Sequence, residues 1–173
     1  MGGALARLYA GTHDDVKAVV FVDSSSPGQD TALAAALPPR KPNEPATLAT
    51  LRTALRAKPL ENPEHLDLSR SLDEVGEVTS LGDRPEIVIT AGKTLGGEAL
   101  LFPFWLRLQN AIARLSSHSV HVLAPTSTHF VQNDAPEIVQ AGIRAVVNAV
   151  RDDGQLTSCA KIFRGISDAK CVR

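Results

Sequence analysis

No apolar run in this chain approaches the roughly 20 residues needed to cross a bilayer, so no membrane-spanning helix is expected. The opening residues lack a basic stretch followed by an uninterrupted apolar one, and no signal peptide is expected either. Neither sign of charge dominates. The formal net charge of -1 provides no electrostatic reason to bind nucleic acid or an anionic membrane. Cysteine is scarce: Cys159 and Cys171 are the two in the chain, and both lie near its end. No histidine or third cysteine accompanies them there, which argues against a metal site. Two readings of the pair stay open, a disulfide pinning the tail or two unrelated thiols, and an exported parent would favour the first. Gly2-Gly3 lacks a preceding strand, a Gly-x-Gly-x-x-Gly pattern and a Walker lysine, so a phosphate-cradling loop is not supported. His118 and His121 have no third ligand in register. No cofactor is expected.

What the chain does contain is an ordinary globular composition, with 173 residues, 43% hydrophobic and 21% charged, enough for one domain with a core. Residues 2–11 read as a helix with Leu5, Leu8 and Tyr9 on one face. Residues 16–22 form an apolar, β-branched run, the pattern of a strand buried on both faces. Asp23-Ser-Ser-Ser-Pro-Gly28 stops it with turn residues. From about 24 to 84 the prolines concentrate and strand signal fades. Leu48, Leu51 and Leu55, then Leu66, Leu68 and Leu72, predict short helices in this insertion. Strand and helix then alternate: a strand over 86–91, a helix carrying Leu101, Phe104, Trp105, Leu108, Ile112 and Leu115 with Pro103 in its first turn, and a strand over 119–124. Asp134 and Glu137 read as a capping box that opens a last helix, with Val139, Ile143, Val146, Val147 and Val150 facing one way. The alternation predicts an α/β fold built on a parallel sheet.

Three side chains stand at strand ends, where α/β proteins place their chemistry. His129 follows the third strand in Pro125-Thr-Ser-Thr-His129, and an imidazole there can serve as a general base near neutral pH. As a lone loop histidine it can equally be solvated. Asp23 leaves the first strand and could orient that imidazole, or close an Asx-turn with the serines behind it. Glu98, reached through Gly92-Lys-Thr-Leu-Gly-Gly, is a competing acid or the start of the next helix. Ser24, Ser25, Ser26, Ser127 and Thr128 also sit near strand ends. None lies on a Gly-x-Ser-x-Gly turn, and turn hydroxyls usually satisfy backbone groups.

These segments together resemble the α/β-hydrolase superfamily, in its esterase-like group with a Gly-His-Ser-x-Gly-Gly elbow. Met1-Gly-Gly-Ala-Leu-Ala-Arg-Leu-Tyr-Ala10 is similar to the end of that elbow and its helix. Val19-Val-Phe-Val-Asp23-Ser resembles the sixth strand with its acidic end, and Thr128-His129-Phe-Val-Gln-Asn-Asp134-Ala-Pro-Glu137 the catalytic-histidine segment. The resemblance covers nearly the whole chain and implies residues 1–151 as the C-terminal half of an α/β-hydrolase domain. It makes 24–84 a substrate-covering lid, and 152–173 a tail closed by a Cys159–Cys171 disulfide as in some exported members. It implies His129 as general base. The family commonly sets its acid after the seventh strand, where this chain offers no Asp; members that use the sixth favour Asp23. Met1 would supply an oxyanion-binding N–H, but as a chain start it carries an ammonium instead. The nucleophilic serine, the oxyanion loop and five strands of the family pattern are not in this sequence. The reading is therefore a serine hydrolase portion, inactive as written, whose intact relative cleaves a small ester-like substrate. The alternative is a non-catalytic interaction domain or pseudoenzyme on the same scaffold. Either way the strand over 16–22 should expose one edge, which favours edge-to-edge self-association.

Overall fold

A computed structural model of the chain describes residues 2–56, 67–93 and 101–172. Met1, Leu66 and Glu98, to which the sequence assigned an oxyanion N–H, a helix position and a competing acid, lie outside the described residues. Three apolar segments pair side by side in parallel: β1 (Val19–Val22), β2 (Glu86–Ala91) and β3 (Ser119–Ala124). β-Branched residues fill these runs, and every residue of β2 is buried, as expected for a central strand covered on both faces. Val19 stands beside Glu86 and Glu86 beside Ser119, so the loops leaving the three strands share one edge of the sheet.

β1 is shorter than the apolar run that predicts it. Val16 is already in a turn, its N–H donating to the His13 carbonyl, while its own carbonyl accepts from Arg84 Nε. A fourth strand, β4 (Lys170–Cys171), joins β3 antiparallel through Val122 and Leu123. The fold is thus α/β with an open mixed sheet in the order β1-β2-β3-β4, mostly parallel. Two exposed residues carry no periodicity, so β4 has no sequence signature. The disulfide between Cys159 and Cys171 ties it down.

Helices cover both faces. On one, α1 (Gly2–Thr12) and α5 (Phe102–Ile112) enclose Val19, Phe21 and Val88 with Ala10, Ile112 and Leu115. On the other, α7 (Pro136–Arg151) and α8 (Cys159–Ile162) enclose Ile87, Ile89, Val120 and Val122 with Ile138, Val146 and Phe163. Between β1 and β2 run α2 (Gln29–Ala36), α3 (Ala46–Ala54) and α4 (Leu68–Gly76). Asp67 caps α4 by accepting from the Arg70 N–H, and Leu72 and Val75 pack α4 onto Ala4 of α1. The insertion is helical and has a surface to cover; α2, alanine-rich and lacking a leucine stripe, is the helix that periodicity does not predict.

Two helices turn a different face inward from the one their large apolar residues predict. In α1 the buried side chains are Ala4 and Ala10, while Leu5 and Tyr9 are 59% and 53% exposed. The reason is close approach: a side chain at Gly3 would collide with Ser24, and one at Gly11 with Val78. In α7 the buried positions are Ile138, Gly142, Val146 and Ala149, and Ile143, Val147 and Val150 are exposed. Gly142 lets the helix settle on Ile87 and Ile89, and even an added methyl would stand at 3.4 Å from each. Between β3 and α7 a short α6 (Val131–Asp134) ends at the residue expected to cap α7. Pro136 opens α7 instead, and no side chain caps it.

Candidate functional site

Where the strands end, the first turn is unusual. Asp23 has φ +43°, in the left-handed region that a residue with a Cβ enters at a cost of about 1–3 kcal/mol. It is fully buried, and its backbone N–H continues the ladder to the Ile89 carbonyl at 2.7 Å. A buried carboxylate needs donors, and they arrive from three other elements. The Ala91 N–H at the end of β2 donates to Oδ1 at 3.0 Å, and the Trp105 indole N–H of α5 donates to the same oxygen at 2.8 Å. His129 Nδ1 donates to Oδ2 at 2.8 Å. The serines that follow do not close an Asx-turn on it. Ser24 Oγ instead donates to the Ser25 carbonyl, and Ser26 N–H donates to Gln29 Oε1.

His129 is carried by the loop between β3 and α6. Two close contacts of backbone hold that loop to the end of β2: Gly92 N–H donates to the Ala124 carbonyl and Lys93 N–H to the Ser127 carbonyl, both at 2.8 Å. Gly92 is required here, since a Cβ would run into the backbone of Pro125. Farther along, the Asp134 carboxylate reaches back to accept from the Thr128 N–H at 2.8 Å and from Thr128 Oγ1 at 2.5 Å. Those bonds hold Asp134 below the usual carboxylate range. So Asp134 ties down the residue ahead of His129 rather than capping a helix.

The imidazole itself is partly open, with 57% of its side chain accessible. Its bond to Asp23 raises its pKa above the ordinary histidine value, against the opposing effect of partial burial. With Nδ1 committed to the carboxylate, the proton of the neutral ring belongs there, and Nε2 presents its lone pair outward. No described residue forms a hydrogen bond with Nε2. Ser24, Ser26 and Ser127 are buried; Ser24 Oγ donates to the Ser25 carbonyl at 3.3 Å and Ser127 Oγ to the Thr128 carbonyl at 3.0 Å. An imidazole oriented by a buried carboxylate, with Nε2 bonded to no described residue, can accept a proton from a hydroxyl or water and hold it as imidazolium.

The sequence signals for Asp23 and His129 were positional, and both stand at the same edge of the sheet. Two further residues of the site carry no positional signal: the sequence places Trp105 on an apolar stripe, and Gln109, fully buried, donates from Nε2 to the Ser24 carbonyl at 2.7 Å. A polar residue interrupting an apolar helical face was the available signal. His121 is also fully buried, between Thr90 Oγ1 at 2.7 Å from Nε2 and Asn110 Oδ1 at 2.9 Å from Nδ1. Burial lowers its pKa to about 4, so it is neutral at physiological pH. Among the described residues no group of three or more His, Cys, Asp or Glu side chains is placed to hold a metal ion. A cleft of about 410 Å3 lined by Asp14, Lys17, Arg84 and His118 lies at the amino ends of the strands, the far end of the sheet from His129. It takes no part in this site. No family model matches the chain, and neither a curated protein nor a solved structure matches it.

Proposed function

We propose that this chain is part of a serine hydrolase of the α/β-hydrolase type, in which His129 is the general base and Asp23 the carboxylate that orients it. The observation that carries this reading is the 2.8 Å bond from His129 Nδ1 to Asp23 Oδ2, with Nε2 bonded to none of the described residues. The reaction is acyl transfer from a small ester-like substrate to a serine hydroxyl and then to water. His129 Nε2 removes the proton of the attacking hydroxyl, and the imidazolium returns it to the leaving alkoxide. Asp23 holds the reactive tautomer and stabilises the imidazolium without taking the proton. The segment over 24–84, which carries α2, α3 and α4, is proposed as a lid. No described serine is hydrogen-bonded to Nε2, and the Ser24 and Ser127 hydroxyls donate to backbone carbonyls, which supports a nucleophile elsewhere in the polypeptide.

The test is a longer polypeptide in which an in-frame Gly-x-Ser turn precedes residue 1. Its hydrolysis of short acyl esters should be lost in His129→Ala and fall by about 10⁴ in Asp23→Asn, the cost of the wrong tautomer. Turnover that survives His129→Ala sinks the reading. A second reading, a non-catalytic docking domain, draws on the exposed apolar side chains of α1 and α7, which flank β1 on both faces. It predicts that a longer polypeptide binds partners and hydrolyses nothing.

A further inference from the structure

Helix α5 sends two polar side chains, one turn apart on the same face, into the turn that bears Asp23. Trp105 is 4% exposed and Gln109 fully buried. Each makes one contact there: the indole N–H to Asp23 Oδ1, and the Gln109 amide to the carbonyl of Ser24. Packing alone does not explain either. A phenylalanine would fill the space of Trp105 without aiming a donor at a buried carboxylate. At Gln109 the burial of an amide brings a penalty that leucine would avoid, and its Oε1 has no hydrogen-bond partner among the described residues.

We infer that Trp105 is a positioning residue for the Asp23–His129 pair, with Gln109 as its second anchor on the strained turn. A carboxylate has two oxygens and turns about one bond. The Ala91 N–H and the indole N–H, arriving from different elements, hold Oδ1 from two directions. Oδ2 is then directed at the imidazole. The left-handed backbone of Asp23 is kept from relaxing by Gln109, which holds the next carbonyl. The indole N–H of Trp105 is spent on Asp23 Oδ1. It acts through Asp23.

This inference rests on the proposed role of the pair, but its test needs no turnover. Histidine-labelled chain is titrated by NMR, and the low-field proton on His129 Nδ1 is followed. The variants are Trp105→Phe, Trp105→3-benzothienylalanine (the same shape without the N–H) and Gln109→Met, with Asp23→Asn as the uncoupled reference. Both Trp105 variants should bring the His129 pKa most of the way down to that of Asp23→Asn and weaken the low-field signal; Gln109→Met should have a smaller effect in the same direction. An unchanged or higher His129 pKa with the signal intact overturns the proposal. If the Trp105 variants do not fold, the unmodified chain decides. Its indole proton should exchange slowly and shift on Asp23→Asn, and a freely exchanging indole proton overturns the proposal. A positive result beside a longer polypeptide with no hydrolase activity would remove the hydrolase reading and leave the positioning role.

Discussion

Asp23 Oδ2 and His129 Nδ1 meet at 2.8 Å although 106 positions separate them in the chain. The contact exists because β1 and β3 are parallel, with β2 between them, so the loops leaving both emerge at one edge. Gly92 then draws the two loop backbones together, and Asp134 fixes the residue before the imidazole.

The pair makes stability depend on pH in a defined direction. His129 has a raised pKa in the folded chain, so the folded state binds its proton more tightly than the unfolded one. The contribution is fully present below the unfolded value of about 6.5, and is lost as pH rises through the folded value. Because the ring is more than half exposed, solvent screening keeps the effect small. Urea midpoints of the chain and of His129→Gln should differ most at pH 6 and converge on the alkaline side. A gap that widens with rising pH would contradict the assignment of the Nδ1 bond.

Activity gives a sharper expectation. If the proposed hydrolase reading holds, the chain should hydrolyse short acyl esters no faster than His129→Ala, because a triad lacking its nucleophile loses most of its acceleration. A serine-directed phosphonate should leave Ser24, Ser25, Ser26 and Ser127 unlabelled. Mass-spectrometric mapping of a label to any of them would identify a nucleophile that the hydrogen bonding of Ser24 and Ser127 argues against.

β2 and β3 were legible to the residue, because β-branched runs there are closed by Pro85, Gly92 and Pro125. Asp23 and His129 were legible as positions, since the end of a parallel strand in sequence is also an end in space. The contact faces of α1 and α7 were not. Periodicity reports where large apolar residues lie, whereas glycine and alanine decided which face approaches the sheet. Trp105 and Gln109 were hidden for a related reason: a hydrogen bond across 82 or 85 positions leaves no local pattern. In the case of Asp134 the local pattern was present and misleading, because Thr128 competes for the same carboxylate.

His121 predicts acid lability at a separate site. Its pKa falls to about 4 on folding, so the unfolded chain takes up a proton that the folded chain refuses. Stability should be full above about 6.5 and decline as pH falls towards about 4, by roughly 3 kcal/mol over that window. Replacement by Gln, which can still bond to Thr90 and Asn110, should flatten the decline in urea melts. A parallel decline in both proteins would move the acid sensitivity elsewhere.

The Cys159–Cys171 disulfide closes a segment of sequence separation 12, for which chain entropy sets a contribution of about 3 kcal/mol. Ellman's reagent should find no thiol in the folded, unreduced chain. Reduction, or Cys159→Ser with Cys171→Ser, should lower the urea midpoint and release the β4 amides to exchange while those of β2 stay protected. Equal loss of protection in β2 and β4 would mean that the tail is part of the folding core.

The last expectation concerns the open side of β1. Val19 and Phe21 spend their backbone groups on β2, so those of Val20 and Val22 face outward, and no described strand lies beyond them. β1 is short but carries no charge, proline or bulge of its own. Leu5 and Tyr9 of α1, and Ile143 and Val147 of α7, are exposed on helices that pack against β1. We expect the isolated chain to self-associate through β1, with sedimentation coefficients that rise with concentration. Val20→Pro removes an outward N–H and spares the ladder to β2, so it should restore a monomer without unfolding the sheet. A monodisperse wild-type monomer, stable over the same concentrations, would show that this edge is closed in solution by something other than a second copy.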